Sequence, residues 1–137
     1  MTWSNRGRIC FGLGYLVAAL FNLSFTLRNH QILWDFFLEN AHLSFYKDFL
    51  TNVIIPNGAL FIIFTVIFEI IVGVLVLNKL VLVRIGLVLG LLWVIFLIPL
   101  LPLGPEMLTN IILAALQAIL LRKEYETTFL EMLRERF

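Results

Sequence analysis

A single cysteine, Cys10, stands among the 137 residues, which excludes an intramolecular disulfide and any Cys-x-x-Cys redox pair. Charge is equally scarce. Ten Lys and Arg against nine Asp and Glu leave a net charge of +1, so there is no global electrostatic argument for nucleic acid or an acidic substrate. Neither a Gly-rich phosphate loop nor a Ser/His/Asp set occurs, and no catalytic activity of the chain alone is expected. Only two histidines are available as ligands. Glu39-x-x-His42 has di-iron spacing, but such centres need a second copy and two more core carboxylates. His30, Asp35 and Asp48 complete no recognisable ligand set, and no metal is expected.

What the chain does have is apolar length. Hydrophobic residues make up 61% of it, with a mean hydropathy of +1.00, against about 45–50% apolar in soluble domains. They fall in four blocks, 9–27, 58–77, 80–101 and 106–121, near the ~17–25 residues that cross a bilayer core. The fold class expected is all-α: one membrane domain over 1–137, a four-transmembrane-helix bundle embedded in the lipid bilayer. An amphipathic interfacial segment, 28–57, joins helices 1 and 2, and a charged cytoplasmic C-terminal helix, 122–137, follows the last span.

Charge placement sets the orientation. Arg6, Arg8, Lys79, Arg84, Arg122, Lys123, Arg134 and Arg136 lie on one side; Arg28 and Lys47 lie on the other. The positive-inside rule then puts both termini in the cytoplasm, at a plasma membrane of bacterial type. Span 1 has an Arg-containing start and Val17-Ala18-Ala19, as a signal peptide would. Its apolar run continues to Leu27, however, and it is read as retained.

The connections have their own signals. Asn78-Lys79 is so short that spans 2 and 3 must be antiparallel neighbours. Pro99, Pro102, Gly104 and Pro105 end span 3 and open span 4. Within 28–57, Phe45, Tyr46, Phe49, Leu50, Val53 and Ile54 recur at helical spacing. Ser44 is the expected N-cap and Pro56-Asn57-Gly58 the stop. A shorter helical piece is expected around 32–37. The segment suits the outer interface or a lid on the bundle mouth. In the tail, Tyr125, Phe129, Leu133 and Phe137 recur every four residues, as on a surface-lying extension of span 4. That stripe also offers a docking surface for a soluble or membrane partner, and oligomerisation is left open.

Glu69 lies inside "TVIFEIIVGVLVL", about 16 Å into its span at 1.5 Å per residue. An acid at that depth costs about 2.5–3.5 kcal/mol on insertion scales and should face the bundle interior. Its neighbours one turn away are small or polar: Thr65 and Gly73. Span 1 presents Cys10, Gly14, Ala18, Asn22 and Thr26 at the same spacing, and Cys10 itself suits a helix contact. Span 4 presents Asn110, Ala114, Gln117 and Ala118. Gly86-x-x-x-Gly90 lets span 3 approach closely. Helix packing is therefore assigned to Gly14, Ala18, Gly73, Gly86, Gly90 and Ala114. Lacking a cation at its depth, Glu69 is expected to be held by hydrogen bonds from Asn22, Tyr15, Gln117 or Trp93. Either it fixes helix register, or it binds a ligand or proton in a pocket with these residues and Thr65.

Arg8 before "ICFGLGYLVAALFNL", the long first connection, and "FEIIVGVLVLNK" with its glutamate and glycine resemble the DoxX-like family of small four-helix membrane proteins. The resemblance implies functional positions at Glu69 and Gly73. Asn22 stands where many relatives carry a polar or basic residue near the end of span 1, and it supplies no cation to Glu69. Some relatives are subunits of quinone-reducing, thiosulfate-oxidising complexes or assemble with soluble oxidative-stress enzymes. That implies an accessory or redox-linked membrane subunit whose pocket takes a quinone or another apolar ligand. The alternatives are a small proton-coupled transporter using Glu69 as carrier and a purely structural assembly partner.

Overall fold

The computed structural model describes residues 2–135, and within them every regular element is helical. Helix α1 (Trp3–Phe21) runs into a π-helical turn, Asn22–Thr26. After a short turn come α2 (His30–Asn40) and α3 (Ser44–Phe49), the latter extended by a π turn at Leu50–Ile54 and a 3-10 turn at Ile55–Asn57. Then follow α4 (Gly58–Val76), α5 (Val81–Leu97), α6 (Pro105–Leu120) and the short α7 (Phe129–Arg134). Three helical stretches are long and apolar enough to cross a membrane: Trp3–Thr26, Ser44–Val76 and Val81–Leu100. The fourth, Pro105–Leu120, is apolar but shorter, about 24 Å at 1.5 Å per residue.

Neighbours in sequence are neighbours in space: α4 packs on α1 and on α5, and α6 packs on α5, while α1 and α6 barely touch. Close approach depends on glycine. A Cβ on Gly73 would fall 3.0 Å from the Gly12 carbonyl oxygen, so α1 and α4 cross backbone to backbone. One on Gly86 would lie 2.9 Å from the Val76 nitrogen, which fixes α4 against α5. In span 1 the packing glycine is therefore Gly12, not the expected Gly14, whose Cβ would meet nothing within 4 Å. Cys10 is likewise exposed, and so is Ala118 on α6. Ala114 is half-buried. Gly86→Ala is expected to cost about 1–3 kcal/mol, since backbone atoms cannot swing aside. Gly14→Ala should be neutral or gain up to about 1 kcal/mol of helix propensity. Thermal unfolding of both variants in detergent checks this, and equal losses would contradict the assigned crossings.

At the end bearing the long connection, α2 and α3 fold over the bundle. Trp34, Phe37, Leu50 and Ile54 are buried in one cluster with Ile62, Val66 and Leu100. His42 fastens the segment to the α5–α6 turn: its backbone N–H donates to Pro99 O at 3.0 Å and its Nε2 to Leu101 O at 2.8 Å. Two details differ from expectation. The N-cap position is Leu43, with no side-chain cap bond, and Ser44 is already helical. Pro56-Asn57-Gly58 breaks the helix, Asn57 leaving helical angles at φ −123°, ψ 30°, yet no loop follows and α4 begins at once.

The opposite, terminal end corrects a second expectation. The tail is not an extension of α6. It turns at Leu121 and folds back across the α4–α5 turn. Leu80 N–H donates to Tyr125 O at 2.6 Å and Phe129 N–H to Leu77 O at 3.0 Å. Leu80 holds φ 53°, ψ −130°, a conformation that L side chains rarely adopt, and the tail's carbonyl secures it. Tyr125 is buried instead of lying on a surface stripe; burial pushes its phenol up, against the pull of Arg8. Thr128 and Glu131 form a capping box at α7. The Lys79 ammonium at 2.8 Å and the Thr128 N–H hold the Glu131 carboxyl below its usual range. Phe137 and Arg136 lie outside the described residues.

Arg8 gathers this end. Its guanidinium is wholly buried, donates to Asn5 Oδ1 at 3.0 Å and to the carbonyl oxygens of Asn78 and Thr127, and lies 4.9 Å from the Tyr125 ring centroid.

Candidate functional site

Glu69 does face inward: it is 5% exposed on the inner side of α4. Asn22 Nδ2 donates to both carboxyl oxygens, at 3.0 and 2.8 Å, and Thr26 Oγ1 donates to Asn22 Oδ1 at 2.8 Å. The chain of donors Thr26 to Asn22 to Glu69 thus orients the amide. Local backbone geometry helps to place it. Asn22 opens the π turn, Leu27 N–H reaching Asn22 O at 2.8 Å, and such turns are frequent at functional sites.

The other expected donors do not reach Glu69. Tyr15 Oη donates to Gln117 Oε1 at 3.3 Å, joining α1 to α6. Thr65 Oγ1 donates back along its own helix to Phe61 O. Trp93 packs against Phe68 in a tilted arrangement and stacks on Phe96, at centroid separations of 5.3 and 6.0 Å, instead of donating to the acid. The reason is reach: α6 lies across α5 from α4, and Gly90 is what lets the Tyr15–Gln117 pair close, since a Cβ there would fall 2.5 Å from both polar atoms. The small-residue face of α5 therefore serves two purposes, helix contact at Gly86 and polar accommodation at Gly90.

Two cavities meet at the acid. The first, about 660 Å³, lies between α1 and α6 toward the terminal end, with Gly14, Tyr15, Ala18 and Gln117 in its wall. Gly14 and Ala18, expected as packing residues, line space. The second, about 510 Å³, lies under α2 and α3, and Asn22, Thr65, Trp34 and Leu50 border it. Glu69, Trp93 and Leu97 belong to both walls. A row of aromatic rings, Phe68–Trp93–Phe96–Tyr46, runs along one side of the second cavity, Tyr46 and Phe96 being 5.4 Å apart. Both cavities are largely apolar with a few polar groups, the pattern of small-molecule sites. Chemically, the Glu69–Asn22 pair can accept a hydrogen bond from a ligand or exchange a proton with it.

The long connection's part in the second wall is not legible residue by residue, nor is the burial of Arg8, which the sequence presents as one of the basic residues ahead of the first apolar block. Among the described residues no His, Cys, Asp and Glu cluster suited to a metal is found. Compared with protein-family models, curated proteins and solved structures, the chain gives no match.

Proposed function

We propose that the chain is an integral membrane protein of four spans with both termini cytoplasmic, at a bacterial-type plasma membrane. On this reading it is a DoxX-like accessory or redox-linked subunit that holds an apolar ligand against Glu69. The observation that carries the site is the Asn22–Glu69 pair, buried where two cavities join. Membrane embedding is supported by the outward faces: Val17 and Leu20 are each 66% exposed and Leu92 58%, a surface that suits hydrocarbon and would be a liability in water. Orientation is supported by the gathering of Arg8, Lys79 and Arg84 with the tail at one end, opposite Arg28 and Lys47.

The test is co-purification from native membranes. A bound quinone or other apolar molecule, or a stoichiometric partner protein, is expected with the wild type. The small molecule should be lost in Glu69→Gln while insertion is kept. Ligand retained unchanged by that variant would remove Glu69 from the site. The two cavities sharing one acid also favour a second reading, proton-coupled transport; substrate-dependent proton flux in proteoliposomes, abolished in Glu69→Gln, would establish it. A partner without any small molecule would leave the structural, assembly role.

A further inference from the structure

Gln117 is a polar group that the Glu69–Asn22 pair does not use. It is fully buried, its Oε1 accepts from Tyr15, and its Nε2 has no hydrogen-bond partner among the described residues. A folded chain rarely leaves a buried amide N–H unmatched. The group lies in the wall of the 660 Å³ cavity, whose remaining lining is mostly apolar, including Phe11, Val94, Leu113 and Leu116. An ordered water needs two to four polar partners, and this wall is poor in them. An unmatched N–H on a residue set in the wall of an apolar chamber calls for an acceptor on an apolar body.

Shape points the same way. α1 and α6 touch at the terminal end, where a Cβ on Gly7 would meet Leu120 at 3.2 Å, and part beyond it, where Gly14 has no neighbour within 4 Å. The opening therefore lies on the flank of the helix array, between two apolar helices. Trp93 and Glu69 both belong to its wall.

We infer that the α1–α6 cleft binds an apolar molecule through a carbonyl oxygen that accepts from Gln117 Nε2. This rests on the membrane reading above. An acyl ester of a bilayer lipid and a ring carbonyl of a lipid-soluble quinone share that chemistry. Gln117 and Gln31 are the only glutamines, so side-chain amide labelling with nitrogen-15 gives two NMR signals, and Gln31, exposed on α2, is an internal reference.

The full chain would be placed in nanodiscs of ether-linked phosphatidylcholine, in discs of the ester-linked lipid, and in ether discs titrated with decylubiquinone. The expected result is a saturable shift of the Gln117 signal, with Gln31 unmoved, in one of the last two. A shift with ester lipid alone identifies the lipid carbonyl; a shift only with the quinone identifies the ring carbonyl. Gln117→Leu should weaken retention of that molecule about tenfold, the worth of one hydrogen bond. Because the wild-type signal carries the test, poor folding of the variant does not blunt it. A Gln117 signal identical in all three samples overturns the proposal. Failure of the chain to enter discs overturns the membrane reading and this proposal with it.

Discussion

Replacing Arg8 with methionine is expected to destabilise the protein more than any other single change at the terminal end, by about 2–4 kcal/mol. The guanidinium donates to two backbone carbonyls, Asn78 O and Thr127 O, and to Asn5 Oδ1. Charged hydrogen bonds are worth about 1.5–3 kcal/mol each, and a carbonyl left unpaired in a buried place costs about 1–3. The contact with Tyr125 adds on the order of 0.5–1 kcal/mol. Relief from burying the charge offsets part of this sum. Lysine should not rescue, because a single ammonium cannot span both carbonyls as the planar fork does. The readouts are a melting temperature in detergent lower by on the order of 10 °C and faster tryptic cleavage after Arg122 and Lys123. An unchanged melting point with unchanged cleavage would show that the tail is held by other contacts.

The second large effect is expected at the buried acid. Asn22→Leu removes the one side chain that, among the described residues, donates to Glu69 and should cost about 1–3 kcal/mol or more, the penalty of a buried acceptor left without a donor. Combining it with Glu69→Leu should recover much of that loss, since removing both partners is often nearly neutral. Unfolding of the four proteins in the cycle gives the interaction energy directly. Losses that simply add would mean that the pair does not interact. A double variant that is stable yet retains no ligand would separate scaffold from site: the pair would then be kept for what it binds and not for what it holds together.

Much of this arrangement can be read from residue order. The apolar blocks place α4, α5 and α6 within a residue or so at most ends, because Asn78-Lys79, the prolines and Gly104 leave few alternatives. Glu69 reads as inward-facing because burying an unmatched acid against hydrocarbon is costly, and Asn22 as one of four side chains near enough in depth to donate to it. Which of the four does so is not legible. Tyr15, Gln117 and Trp93 have the right depth but point to one another or to aromatic rings, and depth says nothing of azimuth across a neighbouring helix. The choice of Gly12 over Gly14 fails for the same reason: both are small, and only the rotation of α1 decides which meets Gly73. The tail misleads because a four-residue apolar stripe looks helical, whereas Arg8, well over a hundred residues away in sequence, draws the Thr127 carbonyl back to the bundle end.

Glu69, Trp93 and Leu97 form a party wall between two chambers. Any guest that displaces these three side chains from one room changes the fit of the other, and the linkage is reciprocal: each guest alters the other's affinity by the same factor.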